Sequence, residues 1–575
     1  MRWFTVMETT ATITERVGET EAAAKDDAGK PKSVPTMSHD QYQRHVEKWL
    51  DHHKDDDAFQ RTLDRHFKEA SIITELDLDR AIPILKPLYC PTGQGQPRDA
   101  VCMLRSLLLM TLLKESSITK WVERTREKPL LAILAGFDPE DVPGIGTYYD
   151  FINKIIDGPY RKKLDGEIRR SEYNARRHER HLKKEREDKK ALRDAGRTAS
   201  QKLADKLLAE AGQPRKDDFR KILEDLLVLI GIIPTIEAGL LDDLQNLVVT
   251  GDGSILQSGA SPNGRPTCTC RKDGLPDCEH PKSYTSPTAQ WCFDAAHGVF
   301  KFGDRYYHLV ITQNNHDFPV HTLMPGGNIS DHTLSLESFD RFLKVIEEHG
   351  LDIQIGIFCG DGHHDTNAHY HYFQEKGVIP VIPLQEKSKA TYPHLSADGL
   401  PRLDEDGVPL CPGGCRMRHH QYNKKRKTHV YACPAKRPRR KHGKYGYSFN
   451  EDLCPLKQNC EPDSSLGPFA YIRSAENPRL FPPVPRDSQR YQDIMNLRSG
   501  SERVNAVIDA YNIEGASRNA DRGLVRIFFA NIVQHAVIRY TEASKSDNDS
   551  GNPLLKRCSR RSAVFSPAPT VNESP

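Results

Sequence analysis

Hydrophobic and polar positions alternate along this chain with three different periods. From Ser38 to Tyr160 apolar residues recur at helical spacing, in HDQYQRHVEKWLDHH, in SSITKWVERTREKPLLAILAG and in TYYDFINKIID. Between them VCMLRSLLLMTLL, starting at Val101, is apolar on every side except at Arg105 and predicts a helix inside the core, too short to cross a bilayer. More amphipathic helix runs from Thr198 to Leu244. At Leu247 the pattern changes to LVVTGDGSIL, an apolar, β-branched run reaching Asp252 between Gly251 and Gly253. The stretch Ile353 to Asp361, IQIGIFCGD, is built the same way, and VIPVIPL (Val378 to Leu384) predicts a further strand. In RSGSERVNAVIDAY, Val504, Val507, Ile508 and Tyr511 form the buried stripe of a helix with Glu502 near its start. LVRIFFANIVQHAVIRY then predicts an apolar helix packed on the sheet.

Length and charge set the boundaries. At 575 residues the chain exceeds one typical domain. A hydrophobic share of 37% and a charged share of 28% describe a soluble protein. Residues 1–37 lack apolar periodicity and predict a disordered tail, as do residues 544–575, and no run is long enough for a membrane span. Residues 38–160 read as an all-α domain and 161–244 as a charged helical connector. Residues 245–384 with 491–543 form an α/β unit interrupted by an insertion over 385–490. A net charge of +3 is close to neutral, so any affinity for nucleic acid must come from local clusters of base. One cluster lies between Arg161 and Arg193, where fourteen Lys and Arg face seven Asp and Glu; pairs such as Glu172 with Arg176 equally suit a solvated helix. A second lies between Cys411 and Cys460, where thirteen Lys and Arg face two acids with Tyr422, Tyr431, Tyr445 and Tyr447 among them. Base with interleaved aromatics fits a nucleic-acid surface.

Asp252, Asp361 and Glu502 are the candidate chemistry. Each alone reads equally well as a turn or helix-start residue. Together, on two strands and a later helix, they suit two divalent ions held roughly 3.5–4 Å apart for phosphodiester chemistry. Magnesium prefers such oxygen ligands. Asp365 competes with Asp361 for the second place; Asp361 closes the strand, whereas Asp365 reads as the N-cap of the next helix. With Arg498 three residues ahead of the Ser-Glu-Arg that holds Glu502, residues 85–540 resemble the DDE transposases of bacterial insertion sequences, near the Tyr-Arg-Glu-Lys branch. Met495 and Asp509 stand where that branch has its Tyr and Lys.

The resemblance implies a ribonuclease H-like core, a mixed five-stranded sheet with flanking helices. It implies Asp252, Asp361 and Glu502 as ligands of two magnesium ions, and cleavage and strand transfer at the ends of the protein's own mobile element. It further implies a helical N-terminal domain that binds those ends, with Arg98, Lys120, Arg124 and Arg126 as DNA contacts. Lys436, Arg437, Arg439, Arg440 and Lys441 of the insertion, with Arg498, are further contacts. The partners are transposon-end and target DNA, with a homodimer on the DNA and a location on the bacterial nucleoid. A ribonuclease H-like nuclease that cuts without joining and an inactive DNA-binding derivative are the alternatives.

Cysteines supply a separate signal. CTCRKDGLPDCEHP presents Cys268, Cys270, Cys278 and His280, four soft ligands in a loop too polar to build a core, which suggests structural zinc. The insertion carries Cys411, Cys415, Cys433, Cys454 and Cys460. Of these, Cys411, Cys415, Cys454 and Cys460 are the natural set for a second zinc, with Cys433 as alternate.

Overall fold

A computed structural model describes residues 34–89, 97–157, 186–187, 198–275, 280, 282–295, 297–385, 403–404, 408–423, 425–441, 444–457, 459–460, 463–464, 466–474, 478–513 and 517–546. Both tails and the basic run 161–193, apart from 186–187, lie outside the described residues.

Among the described residues eight helices come first: α1 (His39–His52), α2 (Asp57–Arg65), α3 (Phe67–Glu75), α4 (Ile82–Leu85), α5 (Ala100–Leu112), α6 (Ile118–Glu127), α7 (Pro129–Ala135) and α8 (Ile145–Asp157). Side-chain caps fix their starts. Ser38 and Gln41 form a capping box on α1, while Asp56, Asp99 and Ser117 accept backbone N–H groups of α2, α5 and α6. Helix α5 is buried all round, as its apolar run requires. Its one charge, Arg105, donates from Nη1 to the carbonyls of Ile73 and Leu76 at 2.9 and 2.8 Å and lies over the Tyr42 ring. Helices α9 (Ala199–Ala209), α10 (Phe219–Leu227) and α11 (Ile233–Glu237) lead into the sheet.

The main sheet mixes parallel and antiparallel strands: β1 (Leu247–Gln257), β4 (Gln290–Asp294), β5 (Val299–Gln313), β6 (His316–Leu323), β7 (Ile355–Cys359) and β8 (Ile379–Val381). Across it the order is β6-β5-β1-β7-β8, with β4 beside the first part of β5. β5 runs antiparallel to its neighbours β1 and β6, whereas β7 and β8 run parallel to β1. The sheet therefore has six strands rather than five, because the hairpin before Gly303 adds β4. β1 also does not stop at Asp252; it continues five residues to Gln257, held by pairing with β5.

Helices α12 (Asp331–Glu348), α13 (Asn367–Glu375), α14 (Gln489–Leu497), α15 (Ser499–Ala510) and α16 (Ala520–Ser546) pack around this sheet. One hydrophobic core runs from α1 to α16 without a break: Leu104 and Leu108 of α5, Leu309 of β5, Phe339 of α12 and Phe528 of α16 all belong to it. α16 lies against both α5 and β6, so the N-terminal helices and the sheet are joined by packing rather than by a linker alone. No helix among the described residues is long and apolar enough to cross a membrane.

Residues between β8 and α14 build their own small structure. Strands β9 (Arg418–Asn423), β10 (Thr428–Ala432) and β13 (Ala470–Arg473) form a sheet ordered β13-β10-β9, and β11 (Lys436–Lys441) pairs with β12 (Lys444–Phe449) as a hairpin. A separate core including Met417, Tyr431, Ile472 and Phe481 holds this part together. A two-residue ladder, β2 (Arg265–Pro266) with β3 (Lys282–Ser283), lies in the connection from β1 to β4.

Candidate active site

Strand register brings the first two acids level. Thr250 of β1 sits beside Cys359 of β7 in the parallel pair, and Asp252 and Asp361 each stand two residues further along. Glu502 is in the first turn of α15, which packs on β1 and β5. The three acids of the sequence-derived triad therefore lie near one another, Asp252 in the middle of β1, Asp361 just past the end of β7 and Glu502 on α15.

The glycines flanking Asp252 are required by close approach. A Cβ on Gly251 would lie 2.3 Å from the Tyr307 hydroxyl, and one on Gly253 would lie 2.1 Å from Asp331 Oδ1. Asp331 opens α12 and brings a fourth carboxylate to the site. Arg305 of β5 faces it at 3.4 Å and donates to the Phe293 carbonyl, which ties the β4–β5 hairpin to the site. Nothing in NISDHTLSL distinguishes Asp331 from an ordinary acid at a helix start, so the sequence pattern does not single it out.

Charge at this centre is unbalanced. Burial, then the negative charges of Asp331, Asp361 and Glu502, push the Asp252 carboxyl up to about 6, with Arg498 pulling the other way. Asn505 of α15 donates to Asp252 Oδ2 at 3.0 Å. Asp361 is treated differently. Burial alone would raise its carboxyl, but hydrogen bonds and charge from His364 and His363 outweigh burial and hold it well below the usual range. His364 is buried, with Nδ1 2.6 Å from Asp361 Oδ1 and Nε2 2.9 Å from the Tyr307 hydroxyl, so a chain of polar contacts fixes the second acid. Glu502 is half-exposed and paired with Arg498 at 2.8 Å.

Asp365 does a different job. It is fully buried, forms a two-point ion pair with Arg479 at 2.8 Å on each oxygen, and accepts from the Gln385 N–H. It does not cap the following helix as the sequence suggested; Thr366 does, through the His369 N–H. His369 is consumed by Ser335 and Thr366, and only His363 of the loop histidines faces the solvent beside Asp361.

The carboxylates offer hard oxygen donors only. These oxygens are spread wider than one coordination sphere. Among the described residues the only three His, Cys, Asp or Glu ligand atoms lying within 4.8 Å of one another belong to Cys268, Cys270 and His280, a possible metal-binding group.

The remaining sequence-derived residues are distributed unevenly. Arg98 pairs with Asp141 and Arg124 with Glu115, while Lys120 and Arg126 are exposed. In the β11–β12 hairpin Arg437 and Arg439 are exposed, but Lys436 is buried, donating to the Ser464 carbonyl at 2.9 Å beneath the Tyr447 ring. Lys436 is therefore not available as a phosphate contact, because its ammonium is held on the Ser464 carbonyl beneath Tyr447 while residues 437–439 stay exposed. The side chains of Arg440 and Lys441, and all of Cys278, lie outside the described residues. In the insertion, a turn joins Cys411 to Cys415, and Cys433 and Cys454 share one buried cluster; Cys460 is not in it. Cys411, Cys454 and Cys433 all act on the Cys415 thiol, so the structure gathers these four, the alternate Cys433 included.

Compared with known proteins, the chain matches no family model and no curated protein.

Proposed function

We propose that this protein is a DDE transposase with a ribonuclease H-like core, acting on the DNA ends of its own mobile element. The observation that carries the reading is the convergence of Asp252, Asp361 and Glu502 from β1, the end of β7 and α15, with Asp252 pushed up to about 6 by burial and its acidic neighbours. A carboxylate cluster with too little counter-charge is what a cation site looks like before the cation is added. The strand order β6-β5-β1-β7-β8, three antiparallel strands followed by two parallel ones, supports the ribonuclease H-like assignment.

Two magnesium ions, when bound, supply Lewis acidity on the attacking and leaving oxygens. Asp252 and Asp361 would hold them from the sheet and Glu502 from the helix. His364 and His363 keep Asp361 ionised, and the Tyr307 hydroxyl holds the His364 ring in place. Asn505 fixes the Asp252 rotamer. Arg498, released from Glu502, becomes free to meet a phosphate. Exposed Lys120 and Arg126 on α6, with Arg437 and Arg439 on the β11–β12 hairpin, are candidate contacts to the duplex backbone.

The test is to incubate the full chain and magnesium with duplex DNA bearing the inverted repeats that flank its gene, then sequence the products. Transposition predicts cut ends with 3′ hydroxyls joined to new target DNA, whereas cut ends that never join would mean a nuclease. No product with magnesium or manganese would leave an inactive DNA-binding protein.

A further inference from the structure

We infer that Cys268, Cys270 and His280 hold one zinc ion that folds the loop between β1 and β4. The Sγ atoms of both cysteines and a ring nitrogen of His280 lie within 4.8 Å of one another. Cys270 Sγ and His280 Nδ1 are 3.3 Å apart. Tetrahedral zinc, with Zn–S of about 2.3 Å and Zn–N of about 2.0–2.1 Å, separates a sulfur and a nitrogen ligand by about 3.5 Å. The observed pair is thus already at ligand spacing. A disulfide would leave the imidazole with no part to play.

The surrounding backbone is built to present these atoms. The β2–β3 ladder pairs Arg265 with Ser283 and Pro266 with Lys282, which closes the loop and brings residue 268 near residue 280. After Cys270 the chain turns back sharply: the N–H groups of Asp273 and Leu275 both reach the Cys270 carbonyl, with Gly274 at φ +82° allowing the reversal. Such a turn frees the sulfur to point away from its own backbone. Leu275 is exposed, and none of residues 261–275 is buried, so no apolar core holds this loop. A metal supplies what burial does not. Two thiolates and an imidazole suit zinc over magnesium or calcium. Binding converts both thiols to thiolates and releases two protons to solvent; no electron moves.

The experiment is zinc analysis of full-length protein purified without chelators, comparing wild type with Cys268→Ser, Cys270→Ser, His280→Ala and His280→Cys. Each of the first three should carry about one zinc per chain fewer than wild type. His280→Cys should keep it, since thiolate replaces imidazole. In parallel, wild type stripped of metal and reloaded with cobalt(II) should show thiolate-to-cobalt absorption, and trypsin should cut within 259–289 faster after stripping. Equal zinc in wild type and Cys270→Ser would overturn the site, as would wild type without zinc or cobalt(II) binding without thiolate absorption. Full zinc in His280→Ala would remove His280 from the ligand set.

Discussion

The Asn505 amide donates a 3.0 Å hydrogen bond to Asp252 Oδ2, joining helix α15 to the middle of β1. The amide's other end, Oδ1, is buried without a hydrogen-bond partner. Asn505 is therefore committed to the ionised form of Asp252, at the cost of an unsatisfied acceptor. Asn505→Leu removes that donor. The pH below which magnesium stops binding should move upward, read by calorimetric magnesium titrations across pH; an unchanged pH dependence would mean that Asn505 serves packing alone.

Asp252 itself should destabilise the metal-free fold. Its folded carboxyl titrates near 6, above its ordinary 3.8, so the folded state binds more protons between those values and stability falls as pH rises through that window. The deficit is complete above pH 6 and amounts to at most ~3 kcal/mol at ~1.4 kcal/mol per pH unit. Asp252→Asn, which can still accept from Asn505, should melt higher than wild type at pH 8 without metal and show no such advantage at pH 3.5. Magnesium should raise the wild-type melting temperature and leave the variant unchanged.

A second charged network, remote from the acids, should set the acid limit of the fold. Glu224 on α10 is buried against Arg215 at 2.8 Å and against Arg341 of α12. Burial opposes its charge, yet contacts with His321 and Arg341 outweigh this and hold it at about 2. Burial keeps His321 itself low, so the arginines are the charge partners that matter. This stabilisation is present above pH 4.5 and is lost as pH falls from 4.5 towards 2. Glu224→Gln leaves two buried guanidinium groups undercompensated and should cost ~3–5 kcal/mol at pH 7, measured by urea unfolding, with a smaller difference at pH 3.

The β11–β12 hairpin separates surface from structure within one basic run. Arg437→Gln with Arg439→Gln should flatten the dependence of log affinity for duplex DNA on log salt by about 0.9 for each phosphate that is no longer neutralised. Lys436→Gln should leave that slope alone and lower stability instead, because its ammonium is buried on the Ser464 carbonyl. A salt titration of DNA binding that gives the same slope for wild type and the double variant would make this hairpin a solvated face.

Much of this arrangement was legible because apolar runs ending in an acid are uncommon and two of them lie level in a parallel pair. The buried α5 helix, the strands at Leu247 and Ile355 and the helix of Glu502 follow from hydrophobic period alone. What the period does not encode is approach across the chain. Asp331 reaches Asp252 only because Gly253 has no side chain, and an acid at a helix start looks the same with or without such a neighbour. Asp365 reads as a cap because its partner, Arg479, is distant in sequence. Lys436 reads as solvated because it sits in a run of bases and its partner, Ser464, is distant in sequence.

Magnesium-dependent nicking of end DNA by Asp361→Asn, beside wild type, Asp252→Asn and Glu502→Gln, tests the central claim most directly. Cleavage should fall by ~10²-fold or more in all three variants, with end binding retained, because each removes a carboxylate from the reacting centre. A folded Asp361→Asn protein that nicks at the wild-type rate would contradict the assignment of these acids as the catalytic centre.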